Sequence, residues 1–350
     1  MNRRVLVVRF SSLGDVILTA PVFKILKKSR PGVHTTFLTK MEYAELHRAN
    51  PHLDEVRAFD PRTESFKSVV DWVRNGDFDL FVDLHRSLRS RLISIFSGVP
   101  TFRYSQDRFR RFTVIARPRF GARKGMRPVV ERYLEVVGWE GKVGSDPDSI
   151  PRLYLKDEDL QRGRQWRERL QGELDGRLVV LLPGAKHPPK QWPNAYFSEL
   201  AQMLAWRGDI PVLMPPPGRE KIAAEVVNQA GVEGVRLSEP HEDAMGLASA
   251  LAAADAVVAN DSGPMHVAAA VGVPVVGIFG PTSPELGFAP LGRNASWVHL
   301  GLFCSPCSKH GKHPCWRGKR YCLDQMKPEL VIEALDDLLE RVQAQKDLYL

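Results

Sequence analysis

A chain of 350 residues, 43% hydrophobic and 26% charged, has room for two domains and the balance of a folded protein, which excludes a disordered chain. No apolar run approaches the ~20 residues that cross a bilayer, and Arg9 closes the first one before it reaches the length of a secretion signal, so the expected location is the cytoplasm. The net charge of +8 is one-sided. Residues 1–150 hold 27 Lys and Arg against 17 Asp and Glu, so that half is expected to face an anionic partner: nucleic acid, a membrane surface or a phosphorylated substrate.

Val5–Phe10 reads as a buried strand, Ser11–Asp15 as a tight loop, and Val16–Lys28 as the helix that follows. Gly14 allows close backbone approach there. The loop is neither a GxGxxG nor a Walker sequence, so a dinucleotide or P-loop assignment fails. Asp15 stands where it would cap the helix. Thr35–Thr39, Glu55–Phe59 and Leu80–Leu84 are further short strands. Asp77-Phe78-Asp79 has the spelling of a metal-binding DxD, but it runs straight into the apolar Leu80–Leu84 and reads as the start of that strand. His85–Arg91, with Arg86, follows at the carboxyl edge, where α/β proteins bind ligands.

Gln106–Arg127 is the most basic and least regular stretch, with Arg110 and Arg111 among eight cations and with Phe109, Phe112 and Phe120 interleaved. Such a stretch suits anionic lipid headgroups, nucleic acid or plain solvation. A helix over Glu131–Val137 closes the first domain, and the polar Val143–Ser149 is the linker.

The second half starts with a charged helix, Asp157–Leu170. Leu178–Leu182 is a strand running into Pro183-Gly184-Ala185-Lys186, and Lys190-Gln191-Trp192-Pro193 precedes the next helix. A lysine beyond a strand end can neutralise a diphosphate. Pro211–Met214 is a strand followed by Pro215–Glu220, and Asp243–Ala254 a helix. Ala256–Ala259, the turn Asn260–Gly263, the small-residue helix His266–Val271 and Val275–Phe279 then form one strand–turn–helix–strand unit of a parallel sheet. The turn opens a helix, so the N–H groups of Ser262 and Gly263 face outward toward an anion, and Asp261 can accept ribose or sugar hydroxyls. Cys304, Cys307, Cys315 and Cys322 lie close together in sequence and suggest a structural zinc site with four thiolates, free thiols being the alternative. Pro328–Gln345 is a long amphipathic helix.

Asn260-Asp261-Ser262-Gly263-Pro264-Met265-His266, followed by Pro274-Val275-Val276-Gly277-Ile278-Phe279-Gly280-Pro281-Thr282, resembles the donor-site signature of the bacterial heptosyltransferases, glycosyltransferase family 9. Ser11–Asp15, Pro21, Lys190-x-Trp192-Pro193 and Gly218-x-Glu220 match that family in order across nearly the whole chain. The resemblance implies an α/β protein of the GT-B class, two Rossmann-like doubly wound domains facing a cleft. It implies an acceptor domain at 1–150, a nucleotide-sugar domain at 151–326, and a last helix, 327–350, crossing back to the first domain. It further implies an inverting transfer of heptose from ADP-heptose to the inner core of lipopolysaccharide, with no cofactor for catalysis and no nucleic acid. Asp15 would be the base and Lys190 the group that meets the leaving diphosphate. Lys186, Glu220, Asp261, Ser262, Gly263 and His266 would hold the donor. Ser11, Ser12, Gly14, Arg86, Arg110 and Arg111 would hold a lipid A–core acceptor at the inner face of an anionic membrane. His187-Pro188-Pro189 departs from the more polar residues common in that family at the sugar contacts. Two rivals are a sugar-nucleotide epimerase of the same fold, which the basic first half disfavours, and a basic nucleic-acid-binding protein, which leaves Asp15, Lys190 and Asp261 without a task.

Overall fold

The computed structural model describes residues 3–116, 126–144 and 146–347. They form two compact units. The described residues of Met1–Gln106 and Pro128–Tyr154 make the first, and those of Asp107–Arg127 and Leu155–Leu350 the second.

The first unit is built on a parallel sheet of β1 (Arg4–Val8), β2 (His34–Lys40), β3 (Glu55–Phe59), β4 (Leu80–Asp83) and β5 (Thr101–Arg103), in the order β3-β2-β1-β4-β5. Val5, Leu6, Val7 and Val8 are fully buried, as expected of a central strand covered on both faces. The chain winds outward from β1 to β3 and then returns to place β4 on its other side. The strand order therefore reverses between β1 and β4, the place where open α/β sheets leave a crevice at their carboxyl ends.

The second unit repeats the plan with β6 (Leu178–Leu182), β7 (Ile210–Leu213), β8 (Arg236–Leu237), β9 (Ala256–Asn260), β10 (Val275–Ile278) and β11 (Ala295–Val298), in the order β11-β10-β9-β6-β7-β8. Its reversal falls between β6 and β9. Trp192, Phe197, Leu200 and Leu213 fill the core on one face.

The structure differs from the sequence reading in two places. The helix expected over Val16–Lys28 is two, Leu13–Ile17 and Ala20–Ser29. Pro21 has no N–H to continue the ladder, and the Thr19 hydroxyl takes the Val16 carbonyl at 2.6 Å. Part of the basic stretch is helical, Arg108–Ala116, and the described residues of Asp107–Arg127 fall with the second unit. Val114 and Met126 pack there on Leu286, and the Met126 N–H donates to the Glu285 carbonyl at 2.7 Å. Phe120, Arg117, Arg119, Arg123 and Lys124 lie outside the described residues. The last helix is Pro328–Asp347. Its buried stripe, Val331, Leu335, Leu338 and Val342, belongs to the core of the second unit.

Candidate active site

Each unit gathers polar residues at its own sheet reversal. In the first, Arg9 directly follows β1, and Asp15 sits in the short helix Leu13–Ile17. The Asp15 carboxylate accepts from the Ser12 hydroxyl at 2.9 Å and the Ser12 N–H at 3.3 Å, and Arg9 Nη2 lies 2.6 Å from the same oxygen. The expected helix-end contact is thus present, and a guanidinium is added to it. Arg9 also donates to the Leu84 carbonyl at 2.5 Å and stands 5.8 Å from the centre of the Tyr133 ring. Burial disfavours the Asp15 charge, but Arg9 and the Ser12 donors outweigh it, and the carboxyl lies below its ordinary value. The same ion pair raises Arg9 against its own burial. His85 is pushed down to about 4, first by burial and then by Arg9, so it is neutral beside Phe10.

Arg86 lies across the reversal on the β4 side. Its N–H donates to Asp83 at 2.7 Å and its guanidinium to the Tyr104 carbonyl at 2.5 Å. Ser11, Ser12, Gly14 and Asp15 are therefore brought together on one side and Arg86 on the other. Arg110 and Arg111 are on Arg108–Ala116 and group with the second unit.

In the second unit the loops after β6, β7 and β9 converge. Lys190 Nζ lies 2.7 Å from Asp261 Oδ2, with both side chains largely buried. Thr282, just beyond β10, donates to the same oxygen at 2.6 Å. Asn260 ties both ends of the loop after β6 to β9: its amide accepts from the Trp192 N–H at 2.9 Å and donates to the Pro183 carbonyl at 2.8 Å. Ser262 caps the helix Gly263–Val271, with Pro264 in the first turn and no partner for its own hydroxyl. His266 is buried one turn in. Lys186 is exposed on the loop after β6. Glu220 opens the helix Glu220–Ala230 and accepts from the Gly218 N–H at 2.8 Å. The arrangement offers a cation, a carboxylate and a helix N-terminus around one point, which is the chemistry of a phosphate-bearing ligand with hydroxyls.

Sequence reasoning missed Arg9, Thr282 and the bridging by Asn260. Arg9 carried one signal, a charge ending a buried strand immediately before a polar loop.

The four cysteines line one small cavity with His313, Trp316 and Arg320. Burial pushes the Cys322 thiol up to about 12, and the other three sulfurs add to it. Among the described residues, no three His, Cys, Asp or Glu side chains stand in an arrangement able to hold a metal ion. The loop carrying the cysteines is tied to the Lys190 loop. Arg320 donates to the carbonyls of Gln191 at 2.7 Å and Pro188 at 3.2 Å.

Two doubly wound units, each with polar loops at its strand reversal, are the architecture of the GT-B class. The solved structure of the Escherichia coli ADP-heptose LPS heptosyltransferase II superposes with a TM-score of 0.72 at 21% identity, covering 97% of this chain and 99% of that one. A family 9 glycosyl transferase from Veillonella parvula gives 0.78 at 21% identity, covering 97% and 98%. The model of glycosyltransferase family 9 (heptosyltransferase) matches residues 67–315, and the chain belongs to that family. It is 30% identical to lipopolysaccharide heptosyltransferase 1 of Pseudomonas aeruginosa over 87% of this chain and 86% of that protein.

Proposed function

We propose that the protein transfers heptose from ADP-heptose to the inner core of lipopolysaccharide by a single inverting displacement. The observation that carries this reading is the Lys190–Asp261 pair beside the N-terminus of Gly263–Val271, at the reversal between β6 and β9. The donor diphosphate takes Lys190 and the N–H groups of Ser262 and Gly263, and Asp261 turns to donor hydroxyls. Negative charge grows on the leaving diphosphate, and these groups hold it where other transferases use a divalent ion. Asp15, kept ionised by Arg9 and Ser12, accepts the proton of the acceptor hydroxyl as that oxygen attacks the anomeric carbon. Relatives named as lipopolysaccharide heptosyltransferases support the substrates.

The decisive experiment incubates the purified protein with ADP-heptose, with and without a lipid A–Kdo acceptor. Acceptor mass should rise by one heptose, with ADP released only when the acceptor is present. ADP release without acceptor, or a rearranged nucleotide-sugar, would favour the epimerase. Turnover should survive EDTA, and dependence on added magnesium or manganese would remove this account of the donor site.

The four cysteines are read as a structural thiolate site for zinc, supported by their convergence on one cavity. Their side chains must close further to share an ion. About one equivalent of zinc after reducing purification is the expected result, and none would leave the cysteines as packing groups.

A further inference from the structure

The helix Leu88–Ser97 is turned inside out. Its face toward the sheet is made of Ser90, Ile93, Ser94 and Ser97. These serines serve a buried carboxylate: Ser90 donates to Asp83 at 3.1 Å, and Arg103, 3.4 Å from Asp83, also donates to Ser94. The large apolar residues face out instead. Leu88 is 73% exposed, Ile95 65% and Phe96 53%. They recur at helical spacing, with Leu92 half-buried between them, and so form one stripe. Phe66 of the neighbouring helix Phe66–Arg74 extends it, its ring 6.3 Å from that of Phe96. An apolar stripe at this density on the water side marks a surface that something covers.

Charge says what covers it. Lys67, Arg89 and Arg91 are exposed on the two helices and Arg74 donates to the Phe96 carbonyl at 2.6 Å, and within the helices the one carboxylate is Asp71. A second copy docked here would set these cations against each other. An anionic bilayer supplies the opposite charge at its headgroups and apolar chains just beneath. No helix among the described residues is long and apolar enough to cross a membrane, so contact in the plane of the surface is the mode the length permits.

We propose that the outer face of Leu88–Ser97, with Phe66, is a lipid-binding surface on which the protein lies against an anionic membrane. The inference stands apart from the transfer reaction, because vesicle binding needs neither donor nor turnover.

The full chain is sedimented with vesicles of phosphatidylethanolamine and phosphatidylglycerol, and with phosphatidylcholine alone. The wild type should bind the anionic vesicles, and Ile95→Glu with Phe96→Glu should weaken that binding at least tenfold. Phe96→Trp keeps the apolar character and guards against misfolding of the charged variant. Its added emission should shift to the blue on anionic vesicles and be quenched by brominated acyl chains. Unchanged emission from Phe96→Trp together with full binding by the double Glu variant would overturn the proposal. So would loss of binding in Arg110→Glu with Arg111→Glu alone, which would assign the contact to Arg108–Ala116. A concentration-dependent dimer abolished by the double Glu variant, with vesicle binding intact, would assign the stripe to a second copy.

Discussion

Asp15 is a carboxylate held in its charged form with its basicity reduced, and both follow from Arg9 and the Ser12 donors. In the proposed reaction Asp15→Asn keeps size and hydrogen bonding but cannot take a proton, and the rate should fall by about 10²–10⁴. Donor affinity, measured by calorimetry without acceptor, should be unchanged. The acid limb of the kcat profile follows from the sign of the shift. A depressed carboxyl is ionised above its own pKa and inactive once pH falls through it, so the limb lies below the ordinary carboxylate range. Arg9→Met removes the charge that holds it there and should move the limb upward, and a limb that stays put would separate Arg9 from Asp15 in the mechanism. Asp15, Lys190 and Asp261 could be singled out as candidates in the sequence because each stands in or next to a polar segment after an apolar run. Arg9 and Thr282 could not. The Leu84 carbonyl reaches Arg9 only once the sheet brings β4 beside β1, and Asp261 reaches Thr282 only once β9 lies beside β10.

At the scale of elements, apolar runs such as Leu178–Leu182 announced the central strands. The edge strands β5, β8 and β11 were not found, since their half-exposed residues carry no such run. The basic stretch read as irregular contains Arg108–Ala116, whose packing on Leu286 has no local signature. The inverted helix was equally hidden, because burying serines over leucines makes sense only with Asp83 beneath. Loops also hold one another. Arg320 anchors the Pro188–Gln191 segment by two carbonyls, and Lys190 lies within it. Hydrogen bonds from a charged group contribute about 1.5–3 kcal/mol, so Arg320→Met should weaken donor binding by about tenfold or more, with the circular dichroism unchanged. Arg320→Lys should recover part of it. Equal donor affinity in all three proteins would leave the anchor without a role in holding Lys190.

At the scale of the whole molecule, the burial of His47 couples the stability of the fold to acid. His47 is enclosed by Phe23 and Phe37, donates to the Val16 carbonyl at 3.0 Å, and is pushed down to about 4 by burial. The folded protein keeps it neutral while the unfolded chain takes a proton below about 6.5. Its contribution is therefore complete above that pH and is lost progressively as pH falls toward 4. One pH unit corresponds to about 1.4 kcal/mol, so His47 alone should remove about 2 kcal/mol between pH 7 and 5. Denaturant midpoints at the two pH values measure the loss. His47→Gln, which keeps a donor for Val16, should flatten the dependence, and an unaltered slope would place the acid sensitivity elsewhere.

The path of the chain between the units has a consequence for its synthesis. The backbone leaves the first unit at Asp107, returns at Pro128 and departs again at Leu155. On a ribosome the first unit is complete once Tyr154 has emerged. Val114 and Met126 are then already outside, while Leu286, against which they pack, is still more than a hundred residues away. At about 5–20 residues per second that interval lasts roughly 7–26 s. Val114 and Met126 are thus open to chaperones and proteases in the nascent chain, and stalled chains ending between 155 and 280 should be cut beside these two residues when full-length protein is not.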